Sequence, residues 1–400
     1  LKIGWKTELT ENRGAKSCIE ELMQQLVELL LPLSIDDVVS AIGLIWAVSF
    51  NSGKLPTNND LMKGEAIRPM AANVSEHWAL VVEAATQTAA IVRDRGLRFR
   101  EHYQSVNSLA YLWAWYFAAL RWGQQSKLGE LEKDSLQKSL TEELGELIDR
   151  WLICTQWAGT WATSSAPNLS GYATRLAACV DGLVSQTTPI AAATALGKCL
   201  RLEVSDVDQA AIIGLSAQNA DDRQQVRSYY TALWLWNRLD ENRWKMARIV
   251  LREKNRRQIS LEVDHIVAVD LWKKKLTQLV TTATSMEADA GQAASVDLAT
   301  PVNEIGNCML LEKNFNISKS NRPLNQFLEG IHEFKNGSVA VAAWAKAFDL
   351  ELLQVHSADA TAEKLGHLIA ARSQRIRTDL EQFIRGVKRR TDLETDADTS

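Results

Sequence analysis

LEVDHIVAVDLW (Leu261–Trp272) and IGNCMLLEKNFNISKSNRP (Ile305–Pro323) hold the residues around which this chain is organised. LEVDHIVAV is a short β-branched run, and in an extended strand the adjacent Asp264 and His265 leave on opposite faces. Only a distorted strand end or a turn aims both at one reacting atom. A long polar insert, Trp272 to Asn303, follows. Gly306-Asn307 is then a turn signal, and Cys308-Met309-Leu310-Leu311 reads as a second strand. Asn314, Asn316, Lys319 and Asn321 come next, in a segment suited to starting a short helix with Ser318 or Asn316 near its cap.

Strand, loop, strand, helix, with Asp-His on the first strand and asparagines at the second and on the helix, resembles the HNH, or ββα-metal, nuclease fold. The interval from Asn307 to Asn316 and the following Ile-Ser-Lys-Ser-Asn are similar to the HNH domain of RNA-guided CRISPR nucleases. The pairing of DHI with GNCMLLEKN is closer still to the C-terminal domain of GmrSD-type restriction enzymes, whose members include SspE-like sensors of phosphorothioate DNA. The resemblance implies a metal-dependent DNA endonuclease of anti-phage restriction, acting on modified or phosphorothioate-marked systems. Hydrolysing a phosphodiester requires a water to lose its proton as it attacks and a departing oxygen to be stabilised as it gains charge. A neutral imidazole, of ordinary pKa about 6.5, suits the first task and assigns it to His265. Mg²⁺, or Mn²⁺ in its place, prefers hard oxygens, and Asp264 and Asn316 supply them, with Asn314 and Asn321 as substitutes for Asn316. By the same resemblance Asn307 ties the loop that presents the histidine, and Lys319 lies close to the phosphate.

The rest of the chain reads as mainly α, a helical bundle with the ββα motif embedded in it. Seven prolines and 20 glycines in 400 residues leave long uninterrupted segments, and apolar residues recur at helical spacing. CIEELMQQLVELLLPL is an amphipathic helix stopped near Pro32, and Ser34 caps the next, SIDDVVSAIGLIWAVSF, with Asp36 and Asp37 at its positive end. Lys54 to Met70 reads as a loop, EHWALVVEAATQTAAIVRD as a helix with His77 on its surface, and NSLAYLWAWYFAALRW, apolar nearly all round, as a helix at the centre of the bundle. Its aromatic residues come without interleaved basic ones, which favours core over a base-stacking platform. Leu128 to Trp157 makes a further helix, Ala162 to Ser170 a linker, and Gly171–Val184 and Ile190–Leu200 short helices.

The expected organisation is therefore a helical bundle domain (1–165), a helical region leading into the nuclease (166–258), the HNH core (259–325), C-terminal helices packing on it (326–390), and a disordered acidic tail (391–400). Arg243, Lys245, Arg248, Arg252, Lys254, Arg256 and Arg257 face one acid, Glu253, so a basic helix feeds into the DHI strand. Beside a nuclease motif, Arg248, Arg252, Arg256 and Arg257 become contacts for the phosphates of double-stranded DNA. A closing helix carries Arg372, Arg375, Arg377, Arg385, Lys388, Arg389 and Arg390, and the resembled family also ends on an Arg-rich helix.

A net charge of -4 gives no bulk attraction to nucleic acid, so affinity has to come from such local patches. Five scattered cysteines without a Cys-x-x-Cys pair fit reduced thiols in the cytoplasm and argue against structural zinc. The longest apolar runs, Val38–Phe50 and Leu109–Leu120, fall short of the roughly 20 residues that span a bilayer, so no membrane partner is expected. The chain opens on Leu1 with no signal pattern, which reads as a piece of a longer one. Members of the resembled family carry an N-terminal nucleotide-hydrolysing domain marked by Asp-Gly-Gln-Gln-Arg. The nearest string here, Trp122-Gly123-Gln124-Gln125-Ser126, lacks both the Asp and the Arg, and no P-loop is present, so that domain is expected to be absent from this fragment. Two other readings have the same residues: a helical partner-binding module with an inactive HNH remnant, and an RNA-cleaving effector.

Overall fold

A computed structural model of the protein describes residues 13–29, 31–55, 67–95, 97, 105–157, 160–161, 166–216, 223–244, 261–272, 274, 303–312, 317, 319–320, 341–350 and 362–386. The described residues are mainly helical, with one sheet of two strands. None of their helices is long and apolar enough to cross a membrane. The chain divides into two compact units, Leu1–Gly214 and Leu215–Ser400.

The first unit contains α1 (Arg13–Glu28), α2 (Ile35–Phe50), α3 (Ile67–Glu76), α4 (Trp78–Asp94), α5 (Val106–Gln125), α6 (Glu130–Trp157), α7 (Ala166–Asp181) and most of α8 (Pro189–Ser216). Ser34 starts α2 through a capping box. Its hydroxyl accepts from the Asp37 N–H at 3.3 Å, while the Asp37 carboxylate accepts from the Ser34 N–H at 2.9 Å. The apolar α5 is the centre of the unit, with Tyr111, Trp113, Trp115, Tyr116 and Phe117 fully buried. It packs on α2, α4, α6 and α7, which leaves it no solvent face and explains why its sequence shows no polar stripe.

Several local readings shift at element ends. α3 begins at Ile67, inside the segment read as a loop; residues 56–66 are outside the described set. His77 is the break between α3 and α4, half-buried with its ring 5.5 Å from Phe50 and 6.3 Å from Phe117. α7 starts at Ala166 within the expected linker, and a proline at position 167 is tolerated because the N–H it lacks would have no acceptor in the first turn. The two short helices become α7 and the much longer α8, which opens with Pro189 after Thr188, whose hydroxyl accepts the Ala191 N–H. Residues 166–214 belong to the first unit. α2 packs on α7, and the backbone at Gly53 (φ +77) comes so near it that a Cβ would meet Thr174 Cα at 2.4 Å.

Glu203 on α8 is a buried carboxyl of this unit, 1% exposed. The Tyr111 hydroxyl donates to one carboxylate oxygen and Trp151 Nε1 to the other at 2.7 Å, with the Tyr111 and Trp151 rings stacked 5.6 Å apart. Burial outweighs these bonds and pushes the carboxyl up to about 7. Between an unfolded value near 4.5 and a folded value near 7, the unfolded chain gives up a proton that the folded chain keeps. Stability from this group is therefore full below the lower value, falls as pH rises, and is lost above the higher one, by at most about 3 kcal/mol. Glu203→Gln should stabilise the protein at pH 8 by about 1–3 kcal/mol and narrow the difference between urea melts at pH 5 and pH 8. A variant less stable than the parent at pH 8 would show that the carboxylate is not held at a cost.

The second unit contains α9 (Arg223–Arg238), β1 (Leu261–His265), β2 (Cys308–Glu312), α10 (Val341–Ala347) and α11 (Ala362–Ile384). β1 and β2 pair antiparallel, with Asp264 opposite Met309 and His265 opposite Cys308. α9 packs on both strands, and α11 packs on the 3-10 turn Ile305–Asn307 that leads into β2. α11 buries Leu365, Ile369, Ile376, Leu380 and Ile384, a stripe at helical spacing that turns Gly306 and its neighbours into core.

Candidate functional site

β1 ends at His265, and the chain bends immediately after it. Asn307 makes that bend. Its backbone carbonyl accepts from the Ile266 N–H at 2.7 Å, its side-chain Oδ1 accepts from the Val267 N–H at 2.9 Å, and its Nδ2 donates to the Val267 carbonyl at 3.1 Å. The amide thus satisfies both backbone groups of a residue that has left the ladder, and it does so fully buried. An asparagine alone among side chains of this length offers a donor and an acceptor side by side. His265 is consequently held at the end of the sheet.

His265 is half-buried, with Nε2 3.1 Å from Asn303 Oδ1. Donation from Nε2 to that oxygen requires the tautomer in which Nδ1 is unprotonated. Asn303 was missed in the sequence, where it only closes the long insert. Its spacing of four from Asn307, across the 3-10 turn, was the available signal.

Asp264 precedes His265 on β1, opposite Met309, with its side chain 12% exposed. Oδ2 is buried and forms an ion pair with Lys319 Nζ at 2.7 Å. Lys319 also donates to the His265 carbonyl at 2.8 Å. Burial raises the Asp264 carboxyl above the ordinary carboxylate range, against the lowering pull of Lys319 and His265. Lys319 itself is 1% exposed, so the structure places it inside the site on Asp264, not on a surface facing solvent.

Among the described residues no group of three or more His, Cys, Asp and Glu side chains is arranged to hold a metal. The expected ligand set, one carboxylate and one amide, is of a different kind. Its carboxylate half fits a hard cation, because Asp264 Oδ2 is a buried oxygen whose close neighbour is already a cation, the Lys319 ammonium at 2.7 Å. Asn316, with its substitutes Asn314 and Asn321, lies outside the described residues, as do Arg248, Arg252, Arg256 and Arg257. The helical part of the expected ββα unit is therefore represented by Ile317 and Lys319.

Two arginines counted in the basic segments are structural. Arg243 stacks 3.7 Å over the Trp236 ring, donates to the Trp236 carbonyl at 2.6 Å and the Ala347 carbonyl at 3.1 Å, and sits 3.9 Å from Asp379. Arg372, 3% exposed, donates from Nη1 to the Gly306 and Cys308 carbonyls at 2.7 and 2.9 Å, and from Nε to Phe348. It clamps the turn that carries Asn307. Arg375 and Arg385 remain exposed, the former paired with Asp349.

Neither a model of any known protein family nor any curated protein matches this sequence.

Proposed function

We propose that the second unit is a metal-dependent HNH-type endonuclease that nicks double-stranded DNA. The observation that carries this reading is the clasp of Asn307 on Val267, which fixes an Asp-His pair at the end of a two-stranded antiparallel sheet. A clasp that consumes a buried amide to shape one bend makes sense if the residue before the bend needs a set position.

In this reading His265 takes the proton of the attacking water, and Asn303, on its other nitrogen, holds the ring in the tautomer that can do so. Asp264 and Asn316 would hold Mg²⁺ or Mn²⁺, which would stabilise the charge gathering on the phosphate and the departing oxygen. Arg248, Arg252, Arg256 and Arg257 bind the duplex through its phosphates, without reading sequence. One base and one metal position suffice for one strand. The resemblance to GmrSD-type enzymes supports a place in cytoplasmic anti-phage restriction, with sensing of modified or phosphorothioate DNA assigned to a nucleotide-hydrolysing domain beyond these residues.

The test is supercoiled plasmid incubated with the protein, with Mg²⁺ or with EDTA. Open circles should accumulate with metal only, and linear molecules should appear later, by coincident nicks. No metal-dependent nicking would leave the partner-binding module as the reading, and preferential loss of an added single-stranded RNA would favour the RNA-cleaving effector.

A further inference from the structure

Lys319 is an odd occupant for the interior of such a site. A lysine ammonium is strongly hydrated and almost never fully buried without compensation. Here it is 1% exposed, 2.7 Å from Asp264 Oδ2 and 2.8 Å from the His265 carbonyl. Both oxygens belong to the two residues that the proposed chemistry requires. The one on Asp264 is also the oxygen that a hard cation would take.

We propose that Lys319 is a resident counter-cation which holds Asp264 in the metal-free protein and must be displaced from it for a divalent ion to bind, an inference that rests on the assignment of Asp264 as a metal ligand. A divalent ion coordinates a carboxylate oxygen at about 2.1 Å. With the ammonium also on that oxygen, two cations would sit within one small, poorly screened space and repel. Release, in this proposal, swings the ammonium away about the torsions of its four-carbon stem. In the metal-free state the ion pair compensates the burial of both charges. The arrangement thus trades metal affinity for an ordered empty site, and ties occupancy to the departure of one ammonium group.

Two measurements without DNA test this. Mn²⁺ binding, followed by the loss of the free-ion electron paramagnetic resonance signal, should tighten at least tenfold in Lys319→Met, which keeps the length and removes the charge. If Lys319 only supported the fold, the same variant would bind Mn²⁺ equally or more weakly, and that result overturns the proposal. Should Lys319→Met fail to fold, the unaltered protein still decides. Acylation of Lys319 by an N-hydroxysuccinimide ester, read by peptide mass spectrometry, should be slow in EDTA and at least several-fold faster at saturating Mn²⁺. Unchanged or slower labelling overturns the proposal, as does absence of Mn²⁺ binding from both proteins. The outcomes separate from those of the nicking assay. Metal-driven release of Lys319 in a protein that does not cut DNA would keep this inference and sink the nuclease reading, whereas nicking without release does the reverse.

Discussion

His265→Ala is expected to lower metal-dependent plasmid nicking by about 10²–10⁴-fold, the range that a positioned general base contributes. Its binding to DNA and its melting temperature should stay close to those of the parent. The imidazole is half-buried at the end of β1, so truncation opens no large cavity, and the ladder partners of its backbone are unaffected. The clasp that shapes the bend is made by Asn307 with Val267, not by the histidine. What disappears is an interaction realised only as the water is deprotonated, which is why rate and affinity should part. Initial nicking rates at saturating DNA, together with filter binding of the same variant, make the comparison. Nicking at near the parent rate would remove His265 from the chemistry, and a matching loss of affinity would make it a binding residue.

Much of this unit was legible because its elements are specified by local pattern. The β-branched run to His265, the apolar run from Cys308 and the turn signal between them are short-range features, and they become β1, β2 and the 3-10 turn. α5 was legible for the opposite reason, since a helix apolar all round has only one place to go. The arginines were not legible. Arg243 and Arg372 look like members of solvated charge runs, but their partners are carbonyls of Ala347, Gly306 and Cys308, distant in sequence. Irregular backbone buried between elements needs donors, and a guanidinium offers five of them in a fixed fork. Nothing in the local pattern of a basic helix says which of its arginines will be used that way. The same limit hid Asn303 and the burial of Lys319, whose contacts are with His265 and Asp264, distant in sequence.

Gly306→Ala should be among the most damaging single changes in the second unit. In the sequence Gly306 is a turn residue, which suggests that its backbone angles are what matter. In the structure the constraint is space. Its φ is outside the left-handed region, yet a Cβ would fall 2.1 Å from the Ile369 carbonyl oxygen and 2.7 Å from the Ser373 nitrogen, both backbone atoms of α11. No rotamer change relieves a clash with a helix backbone, so α11 must back away. The bonds that depend on that approach then stretch together: the Gly306 N–H to Ser373 Oγ at 2.9 Å, and the Arg372 guanidinium to the Gly306 and Cys308 carbonyls. Overpacking costs about 1–3 kcal/mol, and loosening buried hydrogen bonds adds about 1–3 kcal/mol more. A loss of about 3 kcal/mol or more is therefore expected in urea melts. Nicking should fall as well, because the displaced turn carries Asn307 and, through it, the bend after His265. Gly182→Ala is the control, since a Cβ there meets nothing within 4 Å, and it should leave stability nearly unchanged. If Gly306→Ala melted with Gly182→Ala and kept its activity, the turn would have room that this packing denies it, and Arg372 could not be the clamp that holds Asn307 in place.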